Sequence, residues 1–183
     1  MMDIIVFFGP GGAGKNYLLE EIKDKFDIPE LLSFTTRDMR KGESQGSPYN
    51  FISKEEAQKI DTIEMAKRGD NYYGVSMREF EKKTKGEEMV SVIVDEEGIK
   101  EYKENFGNAV TTFYIYCHPQ EAYSRMLSRG DDIKEAKKRV NYDLQNGEYR
   151  NFDLADFTIH NHDNCLFEVI KRIENIIKLM GRK

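Results

Sequence analysis

Ile4-Ile5-Val6-Phe7-Phe8 runs directly into Gly9-Pro10-Gly11-Gly12-Ala13-Gly14-Lys15-Asn16, and this junction decides how the rest of the chain is understood. A short apolar run bounded by glycine predicts a strand covered on both faces. The eight residues after it follow the pattern G-x-x-x-x-G-K-[ST] in every fixed place but the last. The glycines let the backbone turn tightly, and a helix is expected to begin at Lys15. Main-chain N–H groups then converge on an anion at a helix N-terminus. Lys15 adds a point charge suited to terminal phosphates. Asn16 stands where this pattern normally places a Ser or Thr hydroxyl against Mg²⁺.

The remaining composition is compatible with such a site. A chain of 183 residues suits one domain with inserted lobes, and a chain this long buries roughly 70% of its unfolded surface. Apolar residues at 39% and charged residues at 33% describe a folded chain rather than a disordered one. The net charge of −5 argues against nucleic acid as a partner. A site for an anionic ligand must therefore concentrate positive charge locally. Cys117 and Cys165 have no C-x-x-C spacing, so neither a disulfide framework nor a zinc site is expected. Met1-Met2-Asp3 carries no basic leader, and the apolar run behind it is too short for a signal peptide or a membrane span. A cytoplasmic location with no membrane partner is expected.

Apolar runs alternate with helical patterns along the chain. Strands are predicted at 4–8, 31–34, 89–94, 110–117 and 157–160. Helices are predicted at 15–26, 119–128, 132–146 and 164–180. The first carries Leu18, Leu19, Ile22 and Phe26 on one face. The second opens on Pro119. The third carries Ile133, Ala136, Val140 and Leu144 at helical spacing, with Gly147 to end it. The last carries Phe167, Ile170, Ile173, Ile177 and Met180. This alternation predicts an α/β domain with a mostly parallel sheet. Residues 35–73 break the rhythm. They are rich in Arg, Lys, Gly, Asp and Tyr, with short strand-like pieces, and predict an insertion on the binding side.

Three further motifs accompany the loop. Ser33-Phe34-Thr35-Thr36-Arg37-Asp38-Met39-Arg40 places two arginines three apart near a strand end. Guanidinium forks match phosphate oxygens with paired, planar hydrogen bonds. Gly46-Ser47-Pro48-Tyr49-Asn50-Phe51 and Asn71-Tyr72-Tyr73-Gly74 supply tyrosine hydroxyls for phosphate or ribose. Glu64 offers a carboxylate able to accept from the N1–H and N2–H₂ of a guanine. His160-Asn161-His162 invites a metal reading, since residues two apart on a strand share a face, but no third ligand is evident and no metal site is expected there. His118 is read as a connector from strand to helix.

In this order, the four motifs resemble the guanylate kinase family, over nearly the whole chain. The resemblance implies a P-loop three-layer sandwich with a mostly parallel sheet, one domain over 1–183. Its core would be 1–34, 74–124 and 150–183, its nucleoside monophosphate lobe 35–73 and its helical lid about 125–149. It implies that Gly9, Pro10, Gly11, Gly12, Ala13, Gly14, Lys15 and Asn16 hold the phosphates of ATP, with Asn161 near the adenine. It assigns the acceptor to Ser33, Arg37, Arg40, Tyr49, Glu64, Tyr73 and Asp95. Of these, Arg37, Arg40, Tyr49 and Tyr73 would hold the phosphate, while Ser33 and Glu64 would read the base. Arg129 and Arg139 match lid arginines, and with Lys15 and Arg37 they are the expected catalytic groups. The implied reaction moves the γ-phosphoryl of ATP, with Mg²⁺, to GMP or dGMP. A monomer or homodimer is expected.

The chain departs from the family pattern at four places. Asn16 replaces the loop hydroxyl, and its amide oxygen is a weak candidate ligand for the metal. Ile93 stands where a first acid is expected. Val75 replaces a hydroxyl that helps read guanine. The helix after Phe51 is short. These departures keep two alternatives open: a kinase of the same fold acting on another deoxynucleotide or a sugar phosphate, and a non-catalytic binding module.

Overall fold

The structure, a computed structural model, describes residues 2–40 and 42–181. Met1, Lys41, Arg182 and Lys183, which belong to the expected 1–183 domain, lie outside the described residues. The elements in chain order are β1 (Asp3–Phe8), α1 (Lys15–Phe26), β2 (Phe34–Thr35), β3 (Ser44–Gln45), β4 (Pro48–Phe51), α2 (Lys54–Ala57), β5 (Thr62–Arg68), β6 (Asn71–Ser76), α3 (Met77–Thr84), β7 (Met89–Ile93), α4 (Glu96–Phe106), β8 (Val110–Tyr116), α5 (Pro119–Ser128), α6 (Ile133–Gln145), β9 (Phe157–His160) and α7 (Leu166–Met180). They fall into two compact units.

The first unit comprises the chain up to Phe7 and residues 28–112. Here β1 pairs in parallel with β7, Ile4 beside Val90 and Val6 beside Val92. Ile4, Ile5, Val6 and Phe7 are wholly buried, which is why this strand shows no polar alternation. The strand predicted at 31–34 is only partly present. The Ser91 N–H donates to the Pro29 carbonyl and the Leu31 N–H to the Ser91 carbonyl, and the chain then leaves β7. Only Phe34–Thr35 is a strand, and it belongs to a second sheet of order β3-β4-β2-β6-β5. In that sheet β2 is parallel to β4 and antiparallel to β6. The β5–β6 hairpin carries an irregularity between Thr62 and Glu64. The stretch after Phe51 is short as expected, since α2 has four residues, capped reciprocally by Ser53 and Glu56. Two helices were absent from the sequence prediction. Ser76 caps α3 by accepting from the Glu79 N–H, and Asp95 caps α4 by accepting from the Gly98 N–H.

The second unit comprises residues 8–27 and the chain from Phe113 onward. In it β8 runs parallel to β9, Ile115 beside Ile159. Helix α1 buries Leu18, Leu19 and Ile22, as its pattern predicts. Its last turn reaches α7 through the ion pair of Lys25 with Glu174. Two predicted faces are rotated. Helix α6 buries Ala136, Val140 and Asp143, while Ile133 and Leu144 are largely exposed. Helix α7 buries Val169, Ile173, Glu174 and Ile177, and Phe167 is 72% exposed. In both helices a polar residue, satisfied by a specific partner, takes a core position that the apolar count had given to a neighbour.

Candidate active site

The loop of residues 9–16 forms between the end of β1 and the start of α1, as its pattern requires. Gly9 has a φ of 127°, and a Cβ there would lie 2.4 Å from the Ile115 carbonyl oxygen, so no other residue fits. Lys15 curls over the loop and donates to the carbonyls of Gly9 at 2.6 Å and Pro10 at 2.9 Å. Asn16 is exposed in the first turn of α1.

A polar network holds this loop from behind. Asn161 is buried, and its Nδ2 donates to the Ala13 carbonyl at 2.8 Å. Arg125 donates to the Asn161 carbonyl at 2.8 Å, to Ala13 at 3.4 Å and to the Asp163 carboxylate at 2.8 Å. Glu121 accepts from the main-chain N–H groups of His118 and Asp163 and contacts His162 Nδ1, each at 2.8 Å. Burial pushes the Glu121 carboxyl up, but the His162 imidazole and the two N–H groups outweigh it and hold it at about 2. Asp143 accepts from the Gly11 N–H at 2.7 Å. Arg139 also lies against Gly11, whereas Arg129 is paired with Asp131 at 3.1 Å from its Nε. The structure therefore brings one of the two expected lid arginines to the loop.

The histidines correct one expectation. His160 ends β9 and His162 lies beyond it, so strand alternation does not apply to the pair. Their rings are 5.7 Å apart, and His162 stacks on His118 at 4.7 Å. Among the described residues no group of His, Cys, Asp and Glu is arranged to hold a metal ion. The Cys117 thiol is buried, which pushes it up to about 11 and makes it a poor nucleophile.

The acceptor residues expected from the sequence gather within the first unit. The Arg37 guanidinium sits 5.3 Å from the ring centroids of both Tyr49 and Phe51. Tyr73 meets Tyr49 edge-on at 5.8 Å. Glu43 grips Arg37 with two bonds of 2.6 and 2.7 Å and also accepts from the Arg40 N–H at 2.8 Å. The bond from Arg37 holds the Glu43 carboxyl below its ordinary range. Ser33 is buried, and its carbonyl accepts from the Asn50 N–H. Glu64 is buried on β5, and burial, with the charges of Asp95 and Glu101, pushes its carboxyl up to about 8. Asp95 caps α4 and accepts from Arg68 Nε at 3.2 Å. Val75, buried beside Glu64, offers that carboxyl only its main-chain N–H.

Glu43, Glu121, Arg125 and Asp143 went unassigned at the sequence level, Arg125 appearing only as the start of the lid segment. Glu121, Arg125 and Asp143 act through main-chain atoms or partners distant in sequence, and Glu43 lies outside the motif whose Arg37 it holds, so no motif marks them. Asp143 alone leaves a trace, since it follows Arg139 by one helical turn.

A glycine loop ending a parallel strand and opening a helix, with Lys15 over it and a basic network around it, defines the class of phosphate-loop kinases. Solved structures share this fold. Guanylate kinase from Anaplasma phagocytophilum superposes with a TM-score of 0.70 at 24% identity, covering 100% of this chain and 87% of that one. Shikimate kinase from Acinetobacter baumannii superposes with a TM-score of 0.54 at 14% identity, covering 100% and 97%. The guanylate kinase family model matches residues 1–179. A guanylate kinase of Prochlorococcus marinus strain MIT 9312 is 34% identical over 93% of this chain and 96% of its own length. One of Clostridium tetani is 34% identical over 95% and 84%. The chain belongs to the guanylate kinase family.

Proposed function

We propose that this protein transfers the γ-phosphoryl group of ATP to GMP or dGMP. The Arg37 cluster carries the reading. A guanidinium backed by two aromatic rings already holds an anion, the Glu43 carboxylate, by two parallel bonds. An acceptor phosphate presents the same fork geometry and takes that place. Arg40, Tyr49 and Tyr73 complete the phosphate site, while Ser33, Glu64 and Asp95 serve the base. Residues 35–73 act as the acceptor lobe and residues from about 125 to 149 as the lid, on a core of 1–34, 74–124 and 150–183.

On the donor side, residues 9–16 hold the ATP phosphates and Asn161 fixes the loop near the adenine. Lys15 exchanges its carbonyl partners for phosphate oxygens. Arg139 and Arg129 close on the transferring group and exclude water, which disfavours hydrolysis. The acceptor oxygen is already anionic, so positioning and charge neutralisation suffice without a general base. Bound with ATP, Mg²⁺ would supply charge neutralisation to its phosphates. Asn16, exposed in the first turn of α1, would offer it a neutral amide oxygen. The proposed location is cytoplasmic, supported by two unpaired cysteines and, among the described residues, by the absence of a helix long and apolar enough to cross a membrane.

One observation favours a second acceptor. Val75 leaves a hydrophobic wall where a guanine-reading hydroxyl is expected. ADP release measured across all nucleoside monophosphates decides between the two. Preference for GMP or dGMP is the expected result. Preference for a non-guanine acceptor selects the second reading, and no turnover with ATP and Mg²⁺ overturns the enzyme.

A further inference from the structure

Gly11 is a glycine for a reason its backbone does not supply. Its φ lies outside the left-handed region, so any residue can adopt it. Space is what forbids a side chain. A Cβ at position 11 would lie 2.5 Å from Arg139 Nε and 3.1 Å from Asp143 Oδ2. Both side chains come from α6, one turn apart on one face, and both press on the same point of the phosphate loop.

Asp143 makes the specific contact. It is 2% exposed, and its Oδ2 accepts from the Gly11 N–H at 2.7 Å. A carboxylate is costly to bury unless hydrogen bonds satisfy it, and a bond from main-chain N–H to an ionised group is among the strong ones. Arg139 is left differently. Its Nη1 is buried without a hydrogen-bond partner, so the guanidinium keeps donor capacity beside the loop.

We propose that Asp143 is a positioning residue. Its carboxylate latches α6 to the phosphate loop through the Gly11 N–H and so holds Arg139 where the donor phosphates bind. Asp143 itself touches no substrate. The missing side chain at position 11 is the other half of the latch. This assignment rests on the phosphoryl-transfer reading above, in which Arg139 faces the transferring group.

The test compares wild type with D143A, D143N, G11A and the double variant D143A/G11A. In D143A, kcat falls about tenfold or more, the value of one charged hydrogen bond and the misplacement it allows. KM for ATP rises about threefold and KM for GMP stays unchanged. D143N keeps an amide oxygen for the Gly11 N–H and recovers most of the loss. The double variant loses less than the product of the single losses, because both break one contact. Exchange of the Gly11 amide hydrogen, followed by NMR, is slow in wild type and about tenfold faster in D143A.

A lowered melting temperature with unchanged kcat reduces Asp143 to a structural residue and overturns the proposal. So does tighter ATP binding in D143A, which makes the carboxylate a competitor of phosphate, and so does D143N behaving no better than D143A. If D143A fails to fold, D143N and G11A carry the same comparison. If wild type phosphorylates no nucleoside monophosphate, the functional reading fails. The Gly11 exchange rate and the calorimetric affinity for ATP, expected to fall about threefold in D143A, then still decide the latch.

Discussion

Glu64 holds its proton far above the ordinary carboxylate value of 4.5, at about 8, because it is buried and faces Asp95 and Glu101. The unfolded chain releases that proton near 4.5, so the native state binds more protons between the two values. The linked stability is complete below about 4.5 and is lost as pH rises through 8. Guanine donors require the carboxylate, so KM for GMP falls as pH rises from 6 through 8. Glu64→Gln abolishes this pH dependence and weakens GMP on the order of a hundredfold, since an amide N–H₂ then meets guanine donors. Thermal melts at pH 5 and 8 check the stability half: the variant gains on wild type at pH 8 only. Asn16→Ser is the complementary change at the donor. It restores a compact hydroxyl in the first turn of α1 and is expected to lower the Mg²⁺ concentration for half-maximal rate. Unchanged kinetics would make Asn16 a neutral replacement. The positions of Lys15, Arg37 and Glu64 were legible in the sequence because each sits at a fixed offset within a motif. Glu43, which holds Arg37, and Asp143, which holds the Gly11 N–H, were not, because neither lies within a motif.

Elements with a strong apolar stripe and a clear punctuating residue were legible to the last residue. Helices α1 and α5 and strand β9 have the predicted bounds. Helix α3 buries no residue fully, so it offers no stripe to find. Helix α4 buries Gly98, Ile99 and Tyr102, and glycine weakens the pattern. The faces of α6 and α7 were misread because Asp143 and Glu174 are buried against specific partners. Glu121 shows how one residue can join elements. In the first turn of α5 it accepts from the N-cap His118 N–H, and it also holds the segment after β9 through Asp163 and His162. That segment contains Asn161, which braces the loop carbonyl of Ala13. Glu121→Ala removes these bonds and costs about 1–2 kcal/mol at neutral pH. Its carboxyl is held at about 2 against an ordinary 4.5, so its stabilisation is present above 4.5 and lost as pH falls through 2. Urea unfolding checks this: the gap between wild type and variant is full at pH 7 and narrower at pH 3. KM for ATP also rises in the variant.

For the whole molecule, the proposed roles divide cleanly between the two compact units. All proposed acceptor residues, from Ser33 to Asp95, belong to the first unit, and all donor residues, from Gly9 to Arg139 and Asn161, to the second. This division gives a prediction that single substitutions cannot test. A ligand that binds only the native state raises stability by RT ln(1 + [L]/Kd), about 2.7 kcal/mol at a hundredfold excess over Kd. It also slows hydrogen exchange first where it binds, because local opening there must release it. GMP alone is therefore expected to protect amides in 33–51 and 62–76. ATP with Mg²⁺ is expected to protect 9–19 and the segments carrying Arg125, Arg139 and Asn161. Mass-resolved exchange on the intact chain, with each nucleotide alone and with an unreactive ATP analogue plus GMP, measures both footprints. Protection by GMP around residues 9–19 would assign the acceptor to the wrong unit. Protection by ATP with none by any monophosphate would leave a nucleotide-binding chain without an acceptor site. The expected pattern is two footprints that coexist with the analogue pair, because transfer requires both nucleotides on one protein at once, and the positive charge that an acidic chain must concentrate for them is supplied separately, by Arg37 and Arg40 in one unit and by Lys15, Arg125 and Arg139 in the other.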